Sequence, residues 1–277
     1  MRGMSESIGL LTGPALASLL GGAAALVWIR ARGGSASAMF RLPGRYLLGC
    51  GALFVACNVS LYLAVGACAT RSETLVVGLV NYLWPTLTVA FSVPILGRRL
   101  RPLLPVGCAA AASGTAVAML GGGSMAAADL AFWMTGQGLF ALGMALVAAL
   151  SWGLYSNLAR LWGDPEQGAV PLFALATAAA LGLLLLWRPE TPLWTWRGVM
   201  EVCVVGVASL MAAYALWDLG MRRGAHGFLS VCSFFVPIGS TLFSALYLGV
   251  RPGWHVLAGC ALVVAGALLS SRAMGDG

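Results

Sequence analysis

Long apolar runs, broken by short polar joints, follow one another along the whole chain. A helix that crosses the hydrocarbon core of a bilayer needs about 20 apolar residues. The pattern therefore predicts an all-α, polytopic membrane bundle with nine spans, and glycine or proline marks most of the joints. The predicted spans lie near residues 8–30, 44–66, 72–97, 102–121, 136–160, 169–187, 198–219, 225–249 and 252–271.

Composition and charge exclude a soluble protein and argue against a nucleic-acid partner. Only 9% of the residues are charged and 60% are hydrophobic, whereas a soluble domain carries about 25% charged residues. The net charge of +7 reflects sixteen basic residues, all of them arginine, against nine acidic ones. These arginines gather between the apolar runs, as topology signals do, rather than along one binding stripe. The expected surroundings are lipid.

The placement of the arginines also predicts an orientation. With the C-terminus in the cytoplasm, eleven of the sixteen arginines fall on the cytoplasmic side of the nine-span arrangement, as the positive-inside rule requires. Nine crossings then leave the N-terminus of this chain outside. Abundant alanine, glycine and arginine without lysine indicate a GC-rich bacterial gene, so we expect a multi-pass protein of the bacterial inner (plasma) membrane.

The chain contains an internal repeat. A shift of 152 residues aligns residues 55–114 with 207–266 without a gap, and fourteen of the sixty aligned positions are identical. The two copies cross the membrane in opposite senses, and inverted repeats are typical of transporters that bind substrate near the midplane. We assign residues 1–121 to a first repeat of four helices and 136–271 to a second, inverted repeat of five. We therefore expect a complete architecture of five plus five helices, of which this chain would lack the opening one.

Four residues interrupt the apolar run "VNYLWPTLTVAF", residues 80–91, with an amide, a phenol, an indole and a helix breaker. Aromatic anchors belong at helix ends, level with the lipid headgroups, but Tyr82 and Trp84 fall near the middle of the third predicted helix. Pro85 frees a backbone carbonyl about one turn earlier, and such a carbonyl is tolerated where it lines a cavity. We therefore expect a hinge at Pro85 beside a binding site that includes Asn81.

The pseudo-equivalent stretch "SFFVPIGSTLFS" repeats this pattern around Pro237. Two bent helices would bring aromatic faces, hydroxyls and an amide to one midplane, although simple kinking and space filling stay open as alternatives. Trp152 is equally compatible with an interface anchor. The candidate substrate-binding residues are Asn58, Tyr62, Asn81, Tyr82, Trp84, Trp152, Tyr155, Tyr214, Trp217, Ser233, Phe234 and Ser244, with Pro85 and Pro237 as hinges.

The stretch "VNYLWPTLT", followed by an apolar run, an LG-x-R element and a glycine-rich helix, resembles the drug/metabolite transporter superfamily (EamA-like). These residues are most similar to those of its bacterial aromatic amino acid exporter branch. The resemblance implies ten helices in an inverted five-plus-five arrangement around a central cavity. It also implies export of amino acids, with phenylalanine, tyrosine and tryptophan among them, by alternating access. The nine predicted spans would depart from this pattern by one helix, the first.

Other functions receive less support. Export of other small metabolites or of cationic drugs stays an alternative, and a membrane-embedded lipid-modifying enzyme is a different class that would need a nucleophile and base, or a metal set, at depth. The chain has no GxSxG, HExxH or Walker sequence and no CxxC pair, so we expect neither an enzyme nor a cofactor or metal. A channel would need a polar stripe along a whole helix. The oligomeric state stays open, a monomer included.

The few acidic side chains do not suggest proton coupling. Asp218 and Arg222 are four residues apart near a predicted helix end, and we expect them to form a surface ion pair. Asp164, Glu166 and Glu190 fall in loops, where we expect them to be solvated.

Overall fold

The computed structural model describes residues 2–97, 103–120, 131–223 and 252–272, together with six single positions from 236 to 249. In this part of the chain all regular structure is helical. The α-helices are α1 (Arg2–Ser7), α2 (Thr12–Ala31), α3 (Gly51–Ala67), α4 (Arg71–Asn81), α5 (Trp84–Leu96), α6 (Leu103–Leu120), α7 (Gly136–Trp162), α8 (Val170–Trp187), α9 (Trp196–Val204), α10 (Tyr214–Arg223) and α11 (Trp254–Arg272). A 3₁₀-helix covers Ala36–Arg41, and π-helices cover Tyr46–Cys50 and Val205–Ala213.

Six helical segments of the described residues are long and apolar enough to cross a membrane. They are Thr12–Ala31, Tyr46–Ala67, Ser72–Leu96, Gly136–Trp162, Val170–Trp187 and Trp196–Arg222, and Trp254–Gly266 is a shorter apolar helix. The prediction of an all-α, multi-pass membrane protein is therefore confirmed. The number of nine spans stays a prediction, because the predicted span 225–249 lies almost wholly outside the described residues.

The third predicted span has a short interruption near its middle. Helix α4 ends at Asn81, a turn follows at Tyr82 and Leu83, and α5 begins at Trp84 with Pro85 in its first turn. The Leu83 amide donates to the Val80 carbonyl at 3.1 Å, which closes α4. Proline is well suited to the first turn of a helix because no intrahelical partner is lost there. Pro85 therefore lies in the first turn of α5, close behind the end of α4, and its role as a hinge stays a prediction.

The chain divides into two compact units: unit 1 comprises Met1–Tyr62 and Leu158–Ala225, and unit 2 comprises Leu63–Asn157 and His226–Gly277. In unit 1, α2 packs on α8 and on the π-helix Val205–Ala213. A Cβ atom added at Gly21 would lie 2.5 Å from the Gly206 carbonyl oxygen. Small residues that let backbones approach this closely are typical of helix contacts in membranes.

Unit 2 contains a second close contact of this kind, where α6 packs along α11. A Cβ atom at Gly114 would lie 2.6 Å from the Gly259 carbonyl oxygen, and one at Gly266 would meet the Gly107 carbonyl oxygen. Gly107 near the start of α6 contacts Gly266 near the end of α11, and Gly114 further along α6 contacts Gly259 earlier on α11. The two helices are therefore antiparallel and meet through glycine at both points.

The predicted surface ion pair between Asp218 and Arg222 is wrong, because both residues are buried. The Arg222 Nε atom lies 2.7 Å from Asp218 Oδ2, and the two side chains are only 4% and 1% exposed. The Tyr46 hydroxyl also donates to Asp218 at 3.1 Å, and Arg222 donates to the Asp164 carbonyl oxygen. Spacing along a helix predicts that two charges pair, but it carries no information on what covers them.

Glu190 is not the freely solvated loop residue that we expected. Its carboxylate accepts hydrogen bonds from the amides of Leu11 and Thr12 at 3.0 and 2.9 Å, and from the Thr12 hydroxyl at 2.8 Å. These donors stand at the start of α2, where the first backbone N–H groups of a helix lack intrahelical partners. The negative charge also complements the positive end of the helix dipole. Asp164 and Glu166, by contrast, are exposed as expected.

Candidate functional site

Three of the predicted site residues form one aromatic cluster in unit 2. The rings of Trp152 and Tyr155 on α7 are stacked with their centroids 5.1 Å apart. Trp84, the first residue of α5, meets Trp152 edge to face at 6.4 Å. All three side chains are buried. The helix interruption thus places an indole at the beginning of α5, where it completes a group of three rings.

Helices α5 and α7 approach each other closely beside this cluster. A Cβ atom at Gly153 would lie 3.2 Å from Leu87 and Phe91 side-chain atoms. The Asn157 amide nitrogen donates to the Thr88 carbonyl oxygen at 2.9 Å. Trp84 contacts Trp152, and Thr88, one turn later on α5, contacts Asn157, which is also later on α7. The two helices therefore run parallel.

The remaining unit 2 candidates of the first repeat lie at the helix interruption itself. Asn81 is the last residue of α4, and Tyr82 is the residue that closes it; both are half-buried. Tyr82 packs against Cys260 and Val263 of α11. The structure therefore brings Tyr82 to a different cluster from that of Trp84, and the roles of both residues in binding stay predictions.

Unit 1 carries a second, smaller group of predicted residues. The Tyr214 hydroxyl is 3.3 Å from Asn58 Oδ1, to which it donates, and the Tyr214 ring meets Phe54 edge to face at 5.2 Å. Asn58 in turn donates to the Phe54 carbonyl oxygen at 2.9 Å. Tyr62 is buried one turn further along α3, and its hydroxyl has no hydrogen-bond partner among the described residues. The sequence singled out these three polar residues, but the contacts of Asn58 and Tyr214 with Phe54 needed the structure.

Trp217 is half-buried on α10, one turn after Tyr214. The candidates of the pseudo-equivalent stretch lie outside the described residues. Its predicted pairing with residues 80–91 therefore stays a prediction. These candidates are Ser233, Phe234, Ser244 and the hinge Pro237.

Binding of a small amphipathic solute by these side chains stays a prediction. Stacked and edge-on rings hold a flat apolar group, and amides and hydroxyls at membrane depth orient a polar one. Within the described residues, no group of histidine, cysteine, aspartate and glutamate could hold a metal ion. The absence of a cofactor stays an expectation for the whole chain.

Comparison with known proteins gives a consistent result. Residues 139–272 match the EamA-like transporter family. Over 97% of its length, the chain is 29% identical to the aromatic amino acid exporter YddG of Salmonella typhimurium, of which it covers 89%. It is 32% identical to the protein of the same name from Ancylobacter novellus, over 70% of this chain and 66% of that protein. A crystal structure of 27% sequence identity superimposes with a TM-score of 0.69, over 96% of this chain and 88% of the other.

Proposed function

The chain belongs to the EamA-like transporter family, and on this basis we propose that it exports amino acids, aromatic ones in particular. It is a multi-pass membrane transporter rather than an enzyme. Transport takes place by alternating access around a central midplane cavity. The membrane is the bacterial inner membrane, with the C-terminus of the chain in the cytoplasm and its N-terminus outside.

One observation carries the proposed substrate class. Trp84, Trp152 and Tyr155 gather buried aromatic faces where a membrane-spanning segment is interrupted. A flat aromatic side chain gains both buried area and ring contacts in such surroundings. The start of α5 supplies the positive end of a helix dipole, which favours a carboxylate. Discontinuous helices that end near the midplane serve this purpose in other transporters.

An inverted five-plus-five architecture is part of the proposal, and the glycine contacts support it. The shift of 152 residues pairs Gly107 with Gly259 and Gly114 with Gly266. When each glycine is replaced by its counterpart in the other repeat, the contact between Gly114 and Gly259 becomes the contact between Gly266 and Gly107. The structure contains both contacts. A two-fold axis produces such reciprocal contacts. The parallel course of α5 and α7 also agrees with the nine-span arrangement, in which both run inward.

A counterflow assay in reconstituted vesicles tests the function. Vesicles preloaded with unlabelled solute are expected to accumulate labelled phenylalanine strongly, threonine less, and a cationic dye not at all. The dye addresses the competing function, because aromatic groups also bind organic cations. If the vesicles accumulated the dye but not phenylalanine, the proposed function would be wrong and export of cationic drugs would take its place.

Trp84→Ala and Trp152→Ala are each expected to lower phenylalanine counterflow about tenfold, because each removes a ring contact and buried area from the substrate. Trp187→Ala is the matched control, since that indole is 87% exposed, and its rate should stay close to that of the wild type. Rates are compared at equal amounts of folded protein in the vesicles. Equal rates for all three variants would remove the aromatic cluster from the binding site.

A further inference from the structure

Asn157 on α7 has a hydrogen-bond acceptor that no described residue uses. The side chain is only 1% exposed. Its amide nitrogen donates to two carbonyl oxygens, those of Thr88 and Gly153, each at 2.9 Å. Its carbonyl oxygen Oδ1 has no hydrogen-bond partner among the described residues. The orientation of the amide is fixed by chemistry, because both neighbours of Nδ2 are acceptors and only the NH₂ group can face them.

Asn58 offers a comparison, because its amide nitrogen makes the same kind of hydrogen bond but its carbonyl oxygen is paired. Asn58 also donates to the carbonyl one turn earlier, that of Phe54, at 2.9 Å. Its Oδ1 atom, however, accepts from the Tyr214 hydroxyl. Leaving a buried acceptor unpaired is unfavourable, so the unpaired oxygen of Asn157 calls for a donor that is not in the described part of the protein.

The surroundings of Asn157 link it to the aromatic cluster. Its partner Thr88 lies on α5, and the Thr88 hydroxyl donates to the Trp84 carbonyl oxygen at 2.8 Å. Trp84 meets Trp152 on the same helix as Asn157. One short network therefore connects the amide with the first residue of α5 and with the rings that the proposed function assigns to the substrate.

An amino acid offers the missing donor. Its ammonium group carries three N–H donors, whereas its carboxylate carries none, so an acceptor-only atom selects the ammonium end. Hydrogen bonds from a charged donor are stronger than those between neutral groups. A substrate analogue without N–H groups leaves the acceptor unpaired and is rejected for that reason.

We propose that Asn157 Oδ1 accepts a hydrogen bond from the ammonium group of the exported amino acid, and that this contact selects amino acids over other aromatic solutes. The inference rests on the proposed function, since it concerns the same substrate. Asn157 acts as a specificity-determining residue, while its Nδ2 atom holds α5 against α7.

The first test uses the wild-type protein in lipid nanodiscs, with displacement of labelled phenylalanine as the readout. The competitors are phenylalanine, 3-phenylpropionate, which lacks the ammonium, and N,N,N-trimethylphenylalanine, which keeps the positive charge but has no N–H. Both analogues are expected to bind at least about tenfold more weakly than phenylalanine. Equal binding of the trimethylated analogue would overturn the inference, because charge alone would then account for recognition.

The second test separates the acceptor from the structural role of the amide. Asn157→Ala removes both atoms of the amide, so the readout is the difference between two ligands: phenylalanine binding is expected to weaken about tenfold more than 3-phenylpropionate binding. Ser156→Ala is the control, because the Ser156 hydroxyl donates at 2.8 Å to a carbonyl of its own helix, that of Trp152, and the preference should not change.

The outcomes are distinguishable. Equal weakening of both ligands by Asn157→Ala would assign Asn157 to helix packing alone and overturn the inference while export of aromatic amino acids stands. A wild-type protein that neither binds nor transports phenylalanine would overturn the proposed function, and the inference with it. If Asn157→Ala does not fold, the series of competitors on the wild type still decides.

Discussion

Asp218→Ala is expected to lower the free energy of unfolding by about 3–5 kcal/mol, the usual consequence of removing one partner from a buried ion pair. The substitution leaves the Arg222 guanidinium, whose side chain is 4% exposed, without the carboxylate that lies 2.7 Å from its Nε atom. It also removes the acceptor of the Tyr46 hydroxyl. Thermal unfolding of the purified protein in detergent measures the effect.

The same chain supplies a control pair that differs mainly in exposure. Arg223 and Glu166 are 3.3 Å apart, with side chains 53% and 82% exposed. Exposed ion pairs contribute little to stability, so Glu166→Gln should leave the melting temperature nearly unchanged. The double variant Asp218→Leu with Arg222→Leu should recover much of the loss, because apolar residues often replace a buried pair without penalty. Equal melting temperatures for Asp218→Ala and Glu166→Gln would contradict the prediction.

Gly114→Ala is expected to lower stability by about 1–3 kcal/mol, because the added methyl group forces α6 and α11 apart. Its Cβ atom would lie 2.6 Å from the Gly259 carbonyl oxygen and 2.8 Å from the Val263 amide nitrogen, and these backbone atoms cannot easily move away. Gly266→Ala should show a comparable loss, since it meets the Gly107 carbonyl oxygen in the reciprocal contact. Thermal unfolding in detergent again provides the measurement.

Gly143→Ala is the matched control for both glycine variants. A Cβ atom there would have no neighbour within 4 Å, and the position is exposed on α7. Alanine also favours a helix over glycine by about 1 kcal/mol, so Gly143→Ala should be neutral or slightly stabilising. Melting temperatures that fall equally at positions 114 and 143 would mean that loss of glycine itself, and not the helix contact, is responsible.

Much of the fold is predictable from the sequence because lipid imposes a simple rule on span length. Apolar runs of spanning length predicted the segments that the described part of the structure contains. The interruption at Tyr82 and Leu83 was located only approximately. Pro85 signals a disturbance, but a proline is compatible both with a kinked helix and with the first turn of a new one. Packing around the interruption decides between them, and the local sequence carries little information on packing.

The site was predictable as a set of residue types rather than as an arrangement. Aromatic and amide side chains at membrane depth mark Trp84 and Trp152 individually. Their contact depends on the register between α5 and α7, which are far apart in sequence and touch through Gly153. Asn157 is not among the candidate residues of the sequence analysis. It is distinguished only by its hydrogen bonds in the structure, where both N–H donors of the amide are used and the Oδ1 acceptor has no partner among the described residues.

The buried ion pair also bears on how the chain enters the bilayer during synthesis. Insertion scales assign an unfavourable free energy to a lone aspartate or arginine in a transmembrane helix, and Asp218 and Arg222 lie in the last turn of the segment Trp196–Arg222. Asp218 and Arg222 are one turn apart on the same helix, so the pair closes as soon as that helix forms and before any neighbour packs against it. We therefore expect the segment Trp196–Arg222 to partition into lipid with these two charges already paired, without waiting for the rest of the protein.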